Sequence, residues 1–184
     1  MPTQRNDRPT ADEYRAYFTK YITLVEDGEL PAILAAQRAR FQPFYEGISE
    51  EQSLMRYAPG KWSLRQMLGH VIDTERMFSF RAFAFSRAEA KPLFSFEQDD
   101  YVRAVDFDAR SWRSLVDEFA IVRTATIALF AGMTPDLLLR RGTASEATLS
   151  VRAAGFIIAG HETHHVRAMR EQYLAPSAGA TTAS

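Results

Sequence analysis

The chain has 184 residues, enough for one domain whose core can form without a disulfide or a structural metal. A net charge of -1 gives no electrostatic reason to bind nucleic acid or an anionic membrane. With no cysteine, Cys-type zinc sites and disulfides are excluded, and any thiol chemistry must use a thiol brought in as substrate.

Residues 1–10 read as a polar, disordered leader without the apolar stretch of a signal peptide, and no window is apolar enough to span a membrane. The expected location is the cytoplasm. Residues 14–25 predict a short helix, which Asp27-Gly28 breaks. Next, Leu30, Ile33, Leu34, Gln37, Phe41, Phe44 and Ile48 recur in steps of three and four, one face of a helix. Pro31 suits its first turn, and Pro43 is expected to end or kink it near the C-terminal turn. A turn over residues 57–62 precedes Ser63 and Gln66, which read as a capping box opening a helix that runs to about Arg87. Residues 88–110 carry Pro92 and many acids, and predict a long connection with one short helical turn. Loops of that length are often functional.

A third long helix is marked by Trp112, Leu115, Val116, Phe119, Val122, Thr126, Leu129 and Phe130. Residues 132–148 read as loop, and the final helix is expected from Ser150 to about Leu174. Val151, Ala154, Ile158, His161, His165 and Ala168 lie on one stripe of it. No segment alternates like a strand. Residues 176–184 read as a disordered tail. The expected architecture is all-α, one domain over residues 11–175. It is an antiparallel four-helix bundle with a short extra N-terminal helix and a long connection before the third long helix.

The chain has four histidines, one in the second long helix and three in the last. At about 100° per residue, His161 and His165 project from one face as a two-toothed clamp, and their stripe points into the bundle. Buried imidazoles need partners, and a metal would supply them. His70, on a face with Met67, Thr74 and Met77, offers a third nitrogen. Three neutral ligands leave coordination positions open, as in catalytic rather than structural sites. Zinc and nickel suit such a set, and spacing does not choose between them. The competing reading of His70 is a satisfied core histidine. Gly155, Ala159 and Gly160 either leave room for a pocket or allow close helix packing.

The run His161-Glu162-Thr163-His164-His165 also satisfies the H-E-x-x-H pattern of zinc peptidases. That reading ranks low, since Arg170 and Glu171 do not continue the extended motif and no sheet is expected to align a peptide. Glu162 reads as a solvent-facing helix glutamate, with action on a water at the metal as its alternative. His164 could chelate in place of His165, but is assigned to the rim of the site.

The stretch from Pro59-Gly60-Lys61-Trp62-Ser63 through His70-Val71-Ile72-Asp73-Thr74-Glu75-Arg76, with Ala159-Gly160-His161-Glu162-Thr163-His164-His165, resembles the DinB/YfiT-like superfamily. Likeness extends over about residues 14–174, including Ser150-Val151-Arg152-Ala153 at the start of the last helix. The resemblance implies a four-helix bundle, often dimeric, with a divalent metal on one histidine of the second helix and two of the fourth. The matching positions are His70, His161 and His165. Some members resemble transferases that join bacillithiol or mycothiol to electrophiles, and others are called metal-dependent hydrolases. Two departures fall in loops expected to rim the pocket. Phe94-Ser95-Phe96 stands where relatives often have a Pro-Gly-containing turn, and Glu146-Ala147 where a Gly-Asn turn is common.

The leading expectation is a transferase that joins a low-molecular-weight thiol to a small electrophile, because coordination to a metal deprotonates a thiol. Arg81 would then hold a carboxylate of the thiol cosubstrate or form a salt bridge to Asp99 or Asp100. The alternative is hydrolysis of a small ester or amide, since zinc lowers the pKa of water to about 7. Asp73 or Glu162 would serve as base or orient an imidazole, unless Asp73 is a plain surface carboxylate. A third reading is a non-catalytic metal-binding stress protein. The expected partner is a small-molecule substrate, with a second copy of the chain as a possible homodimer.

Overall fold

The computed structural model describes residues 7–175. In chain order its α-helices are α1 (Thr19–Ile22), α2 (Leu30–Glu46), α3 (Glu50–Ser53), α4 (Leu64–Ser86), α5 (Gln98–Ala104), α6 (Trp112–Ala131), α7 (Pro135–Leu139) and α8 (Val151–Ala168). A hairpin of β1 (Arg141–Ala144) and β2 (Ala147–Ser150) precedes α8. No helix among these residues is long and apolar enough to cross a membrane.

Serine hydroxyls start three of the long helices by accepting a backbone N–H three residues on: Ser63 for α4, Ser111 for α6 and Ser150 for α8. At Ser63, Gln66 closes the expected capping box. The start of α2 has no such cap from its own N-cap residue, and Asp7 supplies it: Leu30 N donates to Asp7 Oδ2 at 3.1 Å. Residues 7–10 thus pack onto the bundle. Residues 1–6 of the expected leader, and the expected tail over 176–184, lie outside the described residues.

The long helices form a four-helix bundle in which α2 packs chiefly on α6 and α8, and α4 on α6 and α8. Two apolar clusters mark its ends. One contains Leu30 and Leu34 of α2, Phe78 and Phe85 of α4, Phe130 of α6 and Phe156 of α8. The other contains Phe41 and Tyr45, Leu64 and Leu68, Leu115 and Phe119, and Val166. Order along the chain therefore gives each helix a direction: α2 and α8 run one way, α4 and α6 the other. Each long helix has an antiparallel neighbour, but α4 and α6 run parallel. The chain must return the length of α4, about 34 Å for its 23 residues, before α6 can begin. Residues 87–111 make that return, which is why this connection is long.

Several expected elements take another form. The helix expected over residues 14–25 is a 3-10 turn, Ala16–Phe18, followed by the single turn of α1. Pro43 lies within the last turn of α2, and the helix ends soon after it at Gly47. The end of α8 widens to a π-turn over Met169–Tyr173. Residues 132–148, expected as loop, contain α7 and most of the hairpin. Its four-residue strands lack apolar alternation, and its turn residues, Ser145 and Glu146, take φ of 51° and 61°, where Asn-Gly is the usual signal. Leu93 of the crossover joins this hairpin, donating to Thr143 O at 2.9 Å.

Between the two apolar clusters runs a buried polar layer. Gln37 of α2, Thr74 and Glu75 of α4, Arg123 and Thr126 of α6, and His161, Glu162 and Thr163 of α8 all lie at this level and are buried. A layer like this persists only where its members satisfy one another. Arg123, with no exposed surface, donates Nε and Nη2 to the two oxygens of Glu75 at 2.9 and 2.8 Å, and Nη1 to Glu162 at 2.7 Å. The Tyr45 hydroxyl donates to the other Glu162 oxygen at 3.3 Å, and Gln37 donates to Ala159 O and Thr163 Oγ1. The polar layer is the floor of the site.

Candidate metal centre

His70 enters the polar layer from α4, and His161 and His165 enter it from successive turns of α8. His70 Nε2 stands 3.0 Å from His161 Nε2, which stands 3.1 Å from His165 Nε2. All three ligand nitrogens fall within 4.8 Å of one another. Two nitrogens bound to one ion at about 2.1 Å, at angles of 90–109°, would be about 3.0–3.4 Å apart. The His70–His161 and His161–His165 separations meet that requirement.

The electrostatics fit it too. Burial pushes the His70 imidazole down to about 4. Burial also holds His161 and His165 well below the ordinary histidine value, with the neighbouring imidazoles adding to the effect. At neutral pH all three are uncharged and their lone pairs are available, as a metal requires. One imidazole lone pair at His161 Nε2 cannot properly serve two N–H donors, whereas a cation between the rings would use all three nitrogens. His165 Nδ1 is buried without a hydrogen-bond partner among the described residues. His70 Nδ1 has a long contact, 3.5 Å, with Thr74 Oγ1.

Aromatic rings hold the imidazoles in place. Trp62 packs on His70 with ring centres 4.9 Å apart, and Tyr21 meets His161 edge-on at 5.2 Å. Tyr21 can approach because position 160 has no side chain: a Cβ there would lie 2.0 Å from the Tyr21 carbonyl oxygen. At Gly155 a Cβ would meet Leu30 at the same distance. These glycines serve close packing rather than opening a pocket.

His164 is exposed beside the site, its ring near Tyr21 and His165. Glu162 departs from expectation. It has no exposed surface and is ion-paired to Arg123, because the i+1 position after His161 faces α2 and α6 rather than solvent. Burial raises its carboxyl despite Arg123. Asp73 is partly buried, with Arg76 Nη1 at 3.7 Å, and it touches no imidazole among the described residues. Arg81 forms no salt bridge to Asp99 or Asp100; it donates to Phe94 O and Ser145 Oγ.

A cavity of about 580 Å³ opens beside His70 and His161, between α4, α8, the N-terminal aromatic turn, the crossover and the hairpin. Phe18, Tyr21, Phe78, Phe96 and Arg81 line it. Glu162 and Asp73 do not. Both loops that depart from the family pattern border this space, at Phe96 and Glu146.

Arg123 and Glu75 went unnoticed in the sequence. A signal exists: the buried face of α6 runs Phe119, Arg123, Thr126, Phe130 in steps of four, three and four, so a charge lies on the stripe beside Val122, the apolar residue that the sequence pattern favours there.

Among solved structures, YfiT from Bacillus subtilis, described as a probable metal-dependent hydrolase with an unusual four-helix bundle topology, has a similar fold. Its TM-score is 0.66 at 16% identity, over 89% of this chain and 90% of that one. A comparison with curated proteins finds no match. The DinB superfamily matches residues 33–169, from within α2 past the end of α8 and across all three histidines, and the chain therefore belongs to the DinB superfamily.

Proposed function

We propose that His70, His161 and His165 hold one divalent transition metal, zinc or nickel, and that the chain is a metal-dependent transferase joining a low-molecular-weight thiol to a small electrophile. The observation that carries this reading is the convergence of three neutral imidazoles, His70 and His161 buried and His165 half-buried, with His70 and His161 lining a cavity of about 580 Å³. A divalent ion on three neutral nitrogens lowers the pKa of a thiol or a water that joins it.

The chain's own residues favour the thiol. Hydrolysis benefits from a carboxylate placed to take a proton, and the two nearest in sequence to the ligands are both engaged. Arg123 and Tyr45 hold Glu162 in the core, and Asp73 faces Arg76. A thiol that has already lost its proton needs no such base. Phe18, Phe78 and Phe96 in the cavity wall offer apolar contact to an electrophile, and Trp62 and Tyr21 keep His70 and His161 oriented. Hydrolysis of a small ester or amide is the second reading, supported by the description of YfiT as a probable metal-dependent hydrolase.

The test loads the purified chain with zinc, nickel or manganese. It screens several small thiols against a generic electrophile, with esters, amides and lactones in parallel. Metal-dependent conjugation that disappears in His161→Ala supports transfer. Turnover without added thiol, also lost in that variant, selects hydrolysis. Activity indifferent to a chelator overturns both.

A further inference from the structure

Arg81 is 3% exposed, yet among the described residues no carboxylate pairs with it. Its guanidinium donates only through Nη2, to Phe94 O at 2.9 Å and Ser145 Oγ at 3.0 Å. Nε is fully buried without a partner. The rings of Phe78 and Phe96 lie 5.1 and 5.8 Å from the guanidinium carbon. Burial lowers the Arg81 pKa, and no acid opposes the shift. Glu97 and Asp99 line the same cavity but stay off the guanidinium. A buried cation without a counter-ion is costly unless something else supplies the anion.

The cavity indicates what supplies it. Arg81 and His70 both line it. Ser145, held in a left-handed turn at φ 51°, uses its hydroxyl oxygen to accept from Arg81, so its proton is available to another acceptor. Nη1 donates to nothing among the described residues. Two donors thus face one space, at the end of the cavity away from the histidines. The Cα atoms of positions 70 and 81 are eleven residues apart on α4, about 16 Å along its axis, and the cavity that both side chains line has a mixed wall, with Phe18 and Ile157 beside Thr74, Gln98 and Thr148.

We propose that Arg81 and the Ser145 hydroxyl form an anchor for a terminal oxyanion, a carboxylate or phosphate, on an extended substrate whose opposite end reaches His70, His161 and His165. The reactive end rests on the metal reading above; the anchor stands without it. Charge-assisted hydrogen bonds from a fixed guanidinium are the stronger kind and select planar or tetrahedral oxyanions over neutral isosteres.

The full chain, zinc-loaded and after chelator treatment, would be titrated calorimetrically with phenylvalerate, its neutral amide and phenylpentyl phosphate. An anion is expected to bind both forms, the amide about tenfold or more weakly. Arg81→Gln should lower the anion's affinity about tenfold, Ser145→Ala by less, and Arg81→Lys should recover only part of the loss. Whichever anion binds more tightly identifies the headgroup. Equal affinity in Arg81→Gln overturns the anchor, as does binding to the zinc-loaded form alone, which would place the anion on the ion. If zinc is not retained while the anion still binds through Arg81, the metal reading fails and the anchor survives. Should Arg81→Gln lose its helical circular dichroism, Arg81→Lys and Ser145→Ala carry the test, and unchanged affinity in both overturns the proposal.

Discussion

Replacing Arg123 with methionine tests whether the polar layer is held together as an ion-paired unit. Arg123 has no exposed surface, and its side chain makes three charge-assisted hydrogen bonds, two to Glu75 and one to Glu162. Both acids are buried as well, Glu75 2% exposed and Glu162 0%. The substitution leaves two carboxylates in the core without a counter-ion. Breaking a buried pair in this way costs about 3–5 kcal/mol. A domain of this size is stable by about 5–15 kcal/mol, so Arg123→Met should be folded but marginal. Urea denaturation at pH 7, followed by circular dichroism, would show a lower midpoint with an unchanged slope. Further substitution of Glu75→Gln and Glu162→Gln removes the stranded charges and should recover a large part of the loss. A drop of less than about 1 kcal/mol, or no recovery in the triple variant, would refute the account of the layer.

Two further outcomes follow from the packing. Gly160→Ala places a Cβ against the Tyr21 backbone, so α1 must shift from α8; a loss of about 1–3 kcal/mol is expected, and an unchanged thermal midpoint would contradict it. Burial raises the Glu13 carboxyl, but hydrogen bonds from Arg152, the Thr10 backbone and the Ser150 and Thr10 hydroxyls outweigh it and hold the group at about 2. A carboxyl lowered on folding stabilises the fold above its unfolded pKa of about 4.3, and that contribution is lost as pH falls toward 2. Glu13→Gln should therefore flatten the fall of thermal midpoint with acid in that window, and an identical acid limb would count against the pairing.

The long helices were legible in the sequence because burial on one face imposes a three-four rhythm and serines mark their starts. Ser63 with Gln66 and the stripe from Val151 to His165 needed no tertiary information. The hairpin was not legible: Arg-Gly-Thr-Ala and Ala-Thr-Leu-Ser do not alternate in polarity, and Ser145-Glu146 is an unusual pair for a turn with both φ positive. Helix direction was also hidden, since it depends on which helix ends share an apolar cluster. At the site, the three histidines could be singled out because imidazoles on a buried stripe are rare enough to notice. Glu162 could not be placed correctly, because its burial depends on Arg123, a partner 39 residues away in the chain on another helix. Arg81 was visible as a charge near the histidine face. Its lack of a carboxylate was not, because Asp99 and Asp100 sit nearby in sequence and only the path of the crossover keeps them off the guanidinium.

Metal titration addresses the centre most directly. The chelator-treated chain would be titrated with zinc by calorimetry, and the bound metal counted after gel filtration. A single tightly held ion per chain is the expected result for the unaltered protein, with affinity falling by orders of magnitude when any one of His70, His161 or His165 becomes alanine. Zinc retention indifferent to all three substitutions would mean that the imidazoles meet in the core for packing alone.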